Sequence, residues 1–338
     1  MIVSRILIRA LLILLVTTLL ASIVAGLAFD RWKKGRMREL QAASIKVETK
    51  LGPIEYQLSA EEGHVVLILH GAPGGYDQSM LWGRGLVRNG FQILGVSRPG
   101  YLRTPLASGI LPEQQADLMA ALLQELGLEK VSVIAVGEAA PSALQLALRH
   151  QDRLLALILV SPVLRVPGTR QDPLPIPGQV MMDEITGDVG AWLLWRQTIH
   201  DLREALARII GLTQNFDDGM QRYDEITAAY QDINRRDWIL DFARTLTPLS
   251  PRDSGTRNDI VQTRVPPRID PAKISIPVLI MQGEDSRLLP PDTGQELASM
   301  LPNGNFLPIK GCGDLPPASL SEEVWREALI HFLRDVKP

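Results

Sequence analysis

Cysteine is almost missing from this chain: Cys312 is the only one in 338 residues. No intramolecular disulfide can form, and a structural zinc site built on thiolates is excluded. The count is compatible with a reducing compartment without requiring one. Aromatic residues are also scarce, at 5%, so the core must rest on Leu, Ile, Val and Ala. There is no internal repeat, low-complexity tract or Asn-x-Ser/Thr sequon. Net positive charge is lacking over most of the chain. Residues 1–40 hold seven basic and two acidic residues, so the remainder carries −8 of the overall −3. An acidic body of this kind argues against nucleic acid as a partner. What is present is ordinary for a globular protein with a real core: 46% apolar and 22% charged residues.

The first 40 residues stand apart. Ala10 to Phe29 is an uncharged run of 20 residues, which as a helix spans about 30 Å, the thickness of a bilayer core. Trp32 and a basic cluster (Arg31, Lys33, Lys34, Arg36, Arg38) follow at headgroup level. Its length favours a single-pass membrane anchor over a cleaved signal peptide, whose apolar region is usually shorter. Gly26 and Ala28 keep the cleaved reading open as small residues before a cut. The basic excess after the run places the large domain in the cytoplasm by the positive-inside rule. The basic leader, with Arg5 and Arg9, argues for the opposite face.

The body alternates between two patterns. Val65–Leu69, Gln92–Val96, Val131–Val136, Leu155–Val160 and Val278–Met281 are short Val/Ile-rich runs, the signature of buried strands. Glu113–Leu126, ending at Gly127, and Pro141–His150, with Pro in its first turn, have helical spacing. Such alternation predicts an α/β fold: a doubly wound, mostly parallel sheet with helices on both faces. Residues 163–274 break the alternation. A Pro/Gly-rich stretch from Arg165 to Gly178 leads into helical material such as Val189–Ile210, with Trp192 and Trp195, expected as core rather than pocket or membrane face. The expected organisation is a 1–40 anchor, a first half-core at 41–162, a helical lid at 163–274 and a second half-core at 275–338.

His70-Gly71-Ala72-Pro73-Gly74-Gly75 follows one strand, and Ser97-Arg98-Pro99-Gly100-Tyr101 follows the next. Val131 to Pro162 has a strand–elbow–helix–strand layout, Pro277 to Gly283 a further strand, and Gly311 to Pro316 a terminal loop. In this order the motifs resemble the α/β-hydrolase superfamily, especially its proline-iminopeptidase-like and esterase-like members. The resemblance implies a Ser–His–Asp triad, an oxyanion hole at the backbone of Ala72 and Glu138, and no cofactor or metal.

The side chains at the corresponding positions differ. Gly137 stands at the nucleophile elbow, and no G-x-S-x-G occurs anywhere in the chain. Asp314 stands where the His belongs, and a carboxyl of ordinary pKa near 4 is a poor base at neutral pH. Ser286 stands at the acid position, with Asp285 one residue away. Glu138 would repel an oxyanion. His70 reads as a strand-end histidine bonded to backbone rather than a base. Cys312 reads as a small buried residue. Glu138, Asp285 and Asp314 could in principle form a carboxylate cluster that binds a cation or acts as an acid–base pair, although separate carboxylates are the simpler expectation. These readings lead to an expected pseudoenzyme: a membrane-held binding or assembly subunit with protein partners in a membrane complex and an unknown small ligand. The alternatives are a ligand sensor or carrier that uses the old pocket, and a residual or repurposed hydrolase of esters or amides.

Overall fold

Eight strands form one sheet in the order β1-β2-β4-β3-β5-β6-β7-β8 in the computed structural model, which describes residues 2–60, 62–165, 187–265, 268–290 and 292–336. The strands are β1 (Ile45–Thr49), β2 (Gly52–Leu58), β3 (His64–Leu69), β4 (Phe91–Ser97), β5 (Val131–Val136), β6 (Leu154–Val160), β7 (Val278–Gly283) and β8 (Gly304–Ile309). β2 runs antiparallel to both β1 and β4, and every pairing from β4 through β8 is parallel. Alternate residues of the central strands go to opposite faces. Val65, Leu67 and Leu69 of β3 join one apolar cluster and Val66 and Ile68 the other. Both faces are therefore buried, which is why these strands read as unbroken apolar runs.

Helices α2 (Tyr76–Val87), α3 (Pro112–Glu125) and α4 (Ala140–Arg149) follow β3, β4 and β5 in turn. Between β6 and β7 lie α5 (Gly187–His200), α6 (Leu202–Thr213), α7 (Gly219–Gln231), α8 (Ile233–Thr245) and α9 (Asp253–Gln262). α10 (Thr293–Ser299) and α11 (Glu322–Asp335) close the chain. α3, α4 and α10 pack on one face through residues such as Leu122, Leu144 and Leu297. α2, α11 and the inserted helices cover the other through Leu86, Leu329, Ile210 and Ile239.

Three strands escape the sequence pattern. β1, β2 and β8 are edge or near-edge strands with many half-exposed positions, so they lack the continuous apolar run that marks the centre. The stretch expected as one helix over Val189–Ile210 is two. The break falls at Asp201, whose carboxylate accepts the Glu204 N–H at 3.1 Å and caps α6. Trp192 is buried, in line with a core role. The Pro/Gly-rich stretch beyond Arg165 lies outside the described residues.

The chain divides into two compact units, Met1–Ala43 and Ser44–Pro338. The first is α1 (Ile2–Ala42), long and apolar enough to cross a membrane, with a mean hydropathy of 2.6 over its most apolar window. The hydroxyls of Thr18 and Ser22 donate to the Leu14 and Thr18 carbonyls one turn back, at 2.7 and 2.8 Å. Their polar groups are thus satisfied within the helix, as an apolar surrounding requires.

Candidate functional site

At the carboxyl end of β5 the chain makes a sharp turn into α4. Gly137 sits at the bend with φ +54°, a left-handed conformation that costs other residues a steric clash. A Cβ at Gly137 would meet nothing nearer than the Gly71 Cα and Val163 Cγ2, both at 3.9 Å. The position opens on a cavity of about 70 Å³ whose walls include Ala72, Trp82, Glu138, Phe242, Leu288 and Asp314. No histidine lines it among the described residues.

Two buried carboxylates face this cavity. Glu138, 3% exposed, accepts the Ala72 N–H on Oε2 at 2.9 Å. It thereby occupies one of the two backbone positions expected to cradle an oxyanion. Asp314, 6% exposed, accepts the Ser286 hydroxyl on Oδ1 at 2.5 Å and the N–H groups of Arg287 and Leu288 on Oδ2, both at 3.2 Å. Its own N–H donates to the Thr213 carbonyl at 2.8 Å, which ties the loop to α6. Burial, and secondarily the charge of Glu138, raise the Asp314 carboxyl to about 7 against the pull of its three donors. The expectation of a poor base near pKa 4 is therefore corrected. Desolvation brings the Asp314 carboxyl into the range that an imidazole normally covers.

Ser286 and Asp314 are thus brought together, while Asp285 is not among the cavity's lining residues. Asp285 accepts the Asn215 N–H on its backbone carbonyl, and its carboxyl is raised by burial and then by Asp217 and Glu284. The three-carboxylate cluster reduces to a pair. No group of three or more His, Cys, Asp or Glu placed to hold a metal occurs among the described residues. Cys312 is fully buried and donates to the Gly313 carbonyl at 3.2 Å. Burial pushes its thiol up to about 12, so it is no nucleophile.

The glycine-rich motifs build the frame. His70 is fully buried, with Nδ1 2.7 Å from the Gly71 carbonyl and Nε2 accepting the Arg98 N–H at 3.0 Å. Burial, and then the charge of Arg98, hold its pKa well below the usual value. It stays neutral with both ring nitrogens used. Gly74 permits the tight return of this loop, since a Cβ there would lie 2.4 Å from both the Gly71 carbonyl oxygen and His70 Nδ1. Gly75 precedes α2, and its carbonyl accepts the Gln78 N–H at 3.0 Å. Ser97 donates to Glu55 at 2.8 Å and accepts the Tyr76 N–H at 3.0 Å. Arg98 pairs in bidentate fashion with Asp259 of α9, one arm at 2.9 Å, and the Tyr101 hydroxyl joins the same carboxylate. After Pro99, the Gly100 carbonyl accepts the Gly255 N–H at 2.9 Å. Sequence reasoning missed Asp259 and also Arg252, which donates to the Gly74 carbonyl at 2.6 Å and pairs with Asp77. Both lie in the insertion, where no motif marks them.

Residues 64–317 match the family model described as alpha/beta hydrolase fold. A 2-hydroxy-6-oxononadienedioate/2-hydroxy-6-oxononatrienedioate hydrolase of Dechloromonas aromatica is 26% identical over 286 residues, covering 81% of this chain and 90% of that protein. The hydrolase of the same name in Cupriavidus pinatubonensis is 25% identical over 281 residues, covering 79% and 87%. The solved structure of an alpha/beta hydrolase fold protein from Nakamurella multipartita superposes with a TM-score of 0.77 at 26% identity, over 86% of this chain and 99% of that one. These findings overturn the expected inactive binding or assembly subunit, because these relatives are named as hydrolases. Sheet order, elbow and matched span agree: the chain belongs to the alpha/beta hydrolase fold family.

Proposed function

We propose that this protein is a repurposed hydrolase of small neutral esters or amides, in which Asp314 takes over proton transfer and water replaces the serine nucleophile. The observation that carries this reading is the meeting of two buried carboxylates, Asp314 and Glu138, at one cavity beside the side-chain-free elbow of Gly137. The naming of the relatives as hydrolases supports the reaction class.

In this reading the Asp314 carboxylate accepts a proton from a water as that water's oxygen bonds to the substrate carbonyl carbon. The tetrahedral intermediate then collapses. The bond to the alcohol or amine breaks, and Asp314 returns the proton to that leaving group. Water is consumed, and a carboxylic acid and an alcohol or amine are released. Ser286 and the Arg287 and Leu288 N–H groups hold the carboxyl in place throughout. Burial, with a smaller contribution from the charge of Glu138, keeps the Asp314 pKa near neutrality. The relatives' names specify dioate substrates. A cavity with two carboxylates repels a dianion, so the substrate assigned here is uncharged. The volume suits a short acyl group.

Purified full-length protein in detergent should turn over p-nitrophenyl acetate, with kcat/KM rising as pH passes about 7. Asp314→Asn should abolish turnover, and a fluorophosphonate should label neither form. No turnover of short esters or anilides between acid and alkaline pH, or full activity in Asp314→Asn, sinks the reading. The same proposal places the enzyme at a membrane through α1, with the domain on the cytoplasmic side. Protease added to right-side-out vesicles should leave residues 44–338 intact; cleavage there would reverse the orientation.

A further inference from the structure

A second recess lies among the inserted helices, between α5, α6 and α8, with a volume of about 70 Å³. Leu194 and Trp195 of α5, Ala205 and Ile209 of α6 and Ala243 of α8 give it apolar walls. Trp195, expected in the core, is half-buried and lines this recess instead. The charged lining residues, Glu204 and Arg208, are of opposite sign, so the walls select neither cation nor anion. Water is poorly held in such a space, because it needs several polar partners. An uncharged apolar group suits it better. Leu212 and Leu246 line both this recess and the cavity at Gly137. α8 likewise sets Phe242 on the inner cavity and Ala243 on the outer recess. Leu246, 4% exposed, follows α8 and donates its N–H to the Ala243 carbonyl at 3.3 Å. Leu212 is half-buried near the end of α6. Two leucine side chains therefore stand between the two spaces. Gln197 and Glu204, on the lining of the outer one alone, are exposed.

We propose that this recess seats the apolar alcohol half of an ester substrate, with Leu212 and Leu246 as the neck that divides it from the acyl half; the inference rests on the hydrolase reading above. The inner cavity holds a short acyl group and no more, so the rest of the ester must extend beyond it. The shared leucine wall is where an apolar space continues. In hydrolysis the water oxygen bonds to the acyl carbon, the ester C–O bond breaks, and the proton held by Asp314 passes to the alcohol oxygen. The acid is then left in the inner cavity and the alcohol in the outer recess. Neither Glu138 nor Asp314 lines that recess, so the alcohol departs past the exposed Gln197 and Glu204 without crossing a buried carboxylate.

Methyl, ethyl, propyl and butyl acetate are the probes, because their alcohols differ in length but hardly in acidity, which keeps the chemistry constant. The full-length protein is assayed in lipid nanodiscs, so that no detergent competes for the recess. Its kcat/KM should rise about fourfold for each methylene that enters the recess. Ala243→Leu fills the recess with a side chain that suits a helix, and should remove the rise. Leu212→Ala opens the neck at its half-buried side. It should let the acyl chain through, raising turnover of methyl butyrate relative to methyl acetate by a similar factor per methylene. A flat alcohol series in the unaltered protein, or a rise that Ala243→Leu leaves intact, overturns the inference and leaves the hydrolase standing. So does a butyrate-to-acetate ratio unmoved by Leu212→Ala. Methyl alkyl ketones of matching length, which have no bond to hydrolyse, test the recess without chemistry by ligand-observed NMR. Where no ester is turned over, the hydrolase reading falls by itself. Ketone affinity that rises with length and is lost in Ala243→Leu then upholds the recess as a seat for an apolar chain, and flat affinity overturns it as well.

Discussion

Asp314 is where a single side chain decides most. Its folded-state pKa of about 7 lies above the ordinary 3.8, so the native state holds a proton that the unfolded chain has already released. The stability this provides is complete below pH 4 and is lost as pH rises through about 7. That rise in pKa corresponds to at most about 4 kcal/mol. Asp314→Asn should therefore flatten the stability–pH profile between pH 4 and 7 and raise the melting temperature at pH 8, as differential scanning calorimetry would register. An unchanged profile would mean that the carboxyl is not desolvated. Gly137→Ser poses a complementary question. There is room for the hydroxyl, with neighbours at 3.9 Å, but φ +54° charges any side chain about 1–2 kcal/mol. No imidazole lines the cavity among the described residues to activate it. The variant should melt a few degrees lower by differential scanning calorimetry; an unchanged melting temperature would mean that the turn accepts a side chain without strain.

At the scale of elements, the inserted helices are held to the sheet by buried charge. Arg98 after β4 and Asp259 of α9 are both almost completely enclosed, at 2% and 3% side-chain exposure. Removing one partner strands the other, so Arg98→Ala or Asp259→Ala should cost about 3–5 kcal/mol, while an apolar pair such as R98M with D259L should recover most of that loss. Urea denaturation of the three variants checks this, and additive losses in the double variant would refute it. The caps are weaker levers. Asp201, Asp218 and Asp232 each accept N–H groups at the start of α6, α7 and α8, and each Asp→Ala should cost about 1 kcal/mol. The cap at Asp201 was legible as a residue type but not as a helix boundary, since the apolar spacing runs through it on both sides. β1, β2 and β8 were illegible because edge strands expose half their residues and alternate weakly.

For the molecule as a whole, the two units separate along the chain at Ala43. Full-length protein should stay with membranes through a carbonate wash, and a chain beginning at Ser44 should be released; release of both would refute a spanning role for α1. Residue order alone determined the α/β class, the central strands and the elbow lacking a side chain, because each follows from local spacing and from motifs only a few residues long. Tertiary structure decided the chemistry. The basicity of Asp314, the pairing of Ser286 with it and the seat of Glu138 on the Ala72 N–H all depend on burial. Burial is set by segments more than a hundred residues apart in the chain, and no local pattern encodes the dielectric that they create together.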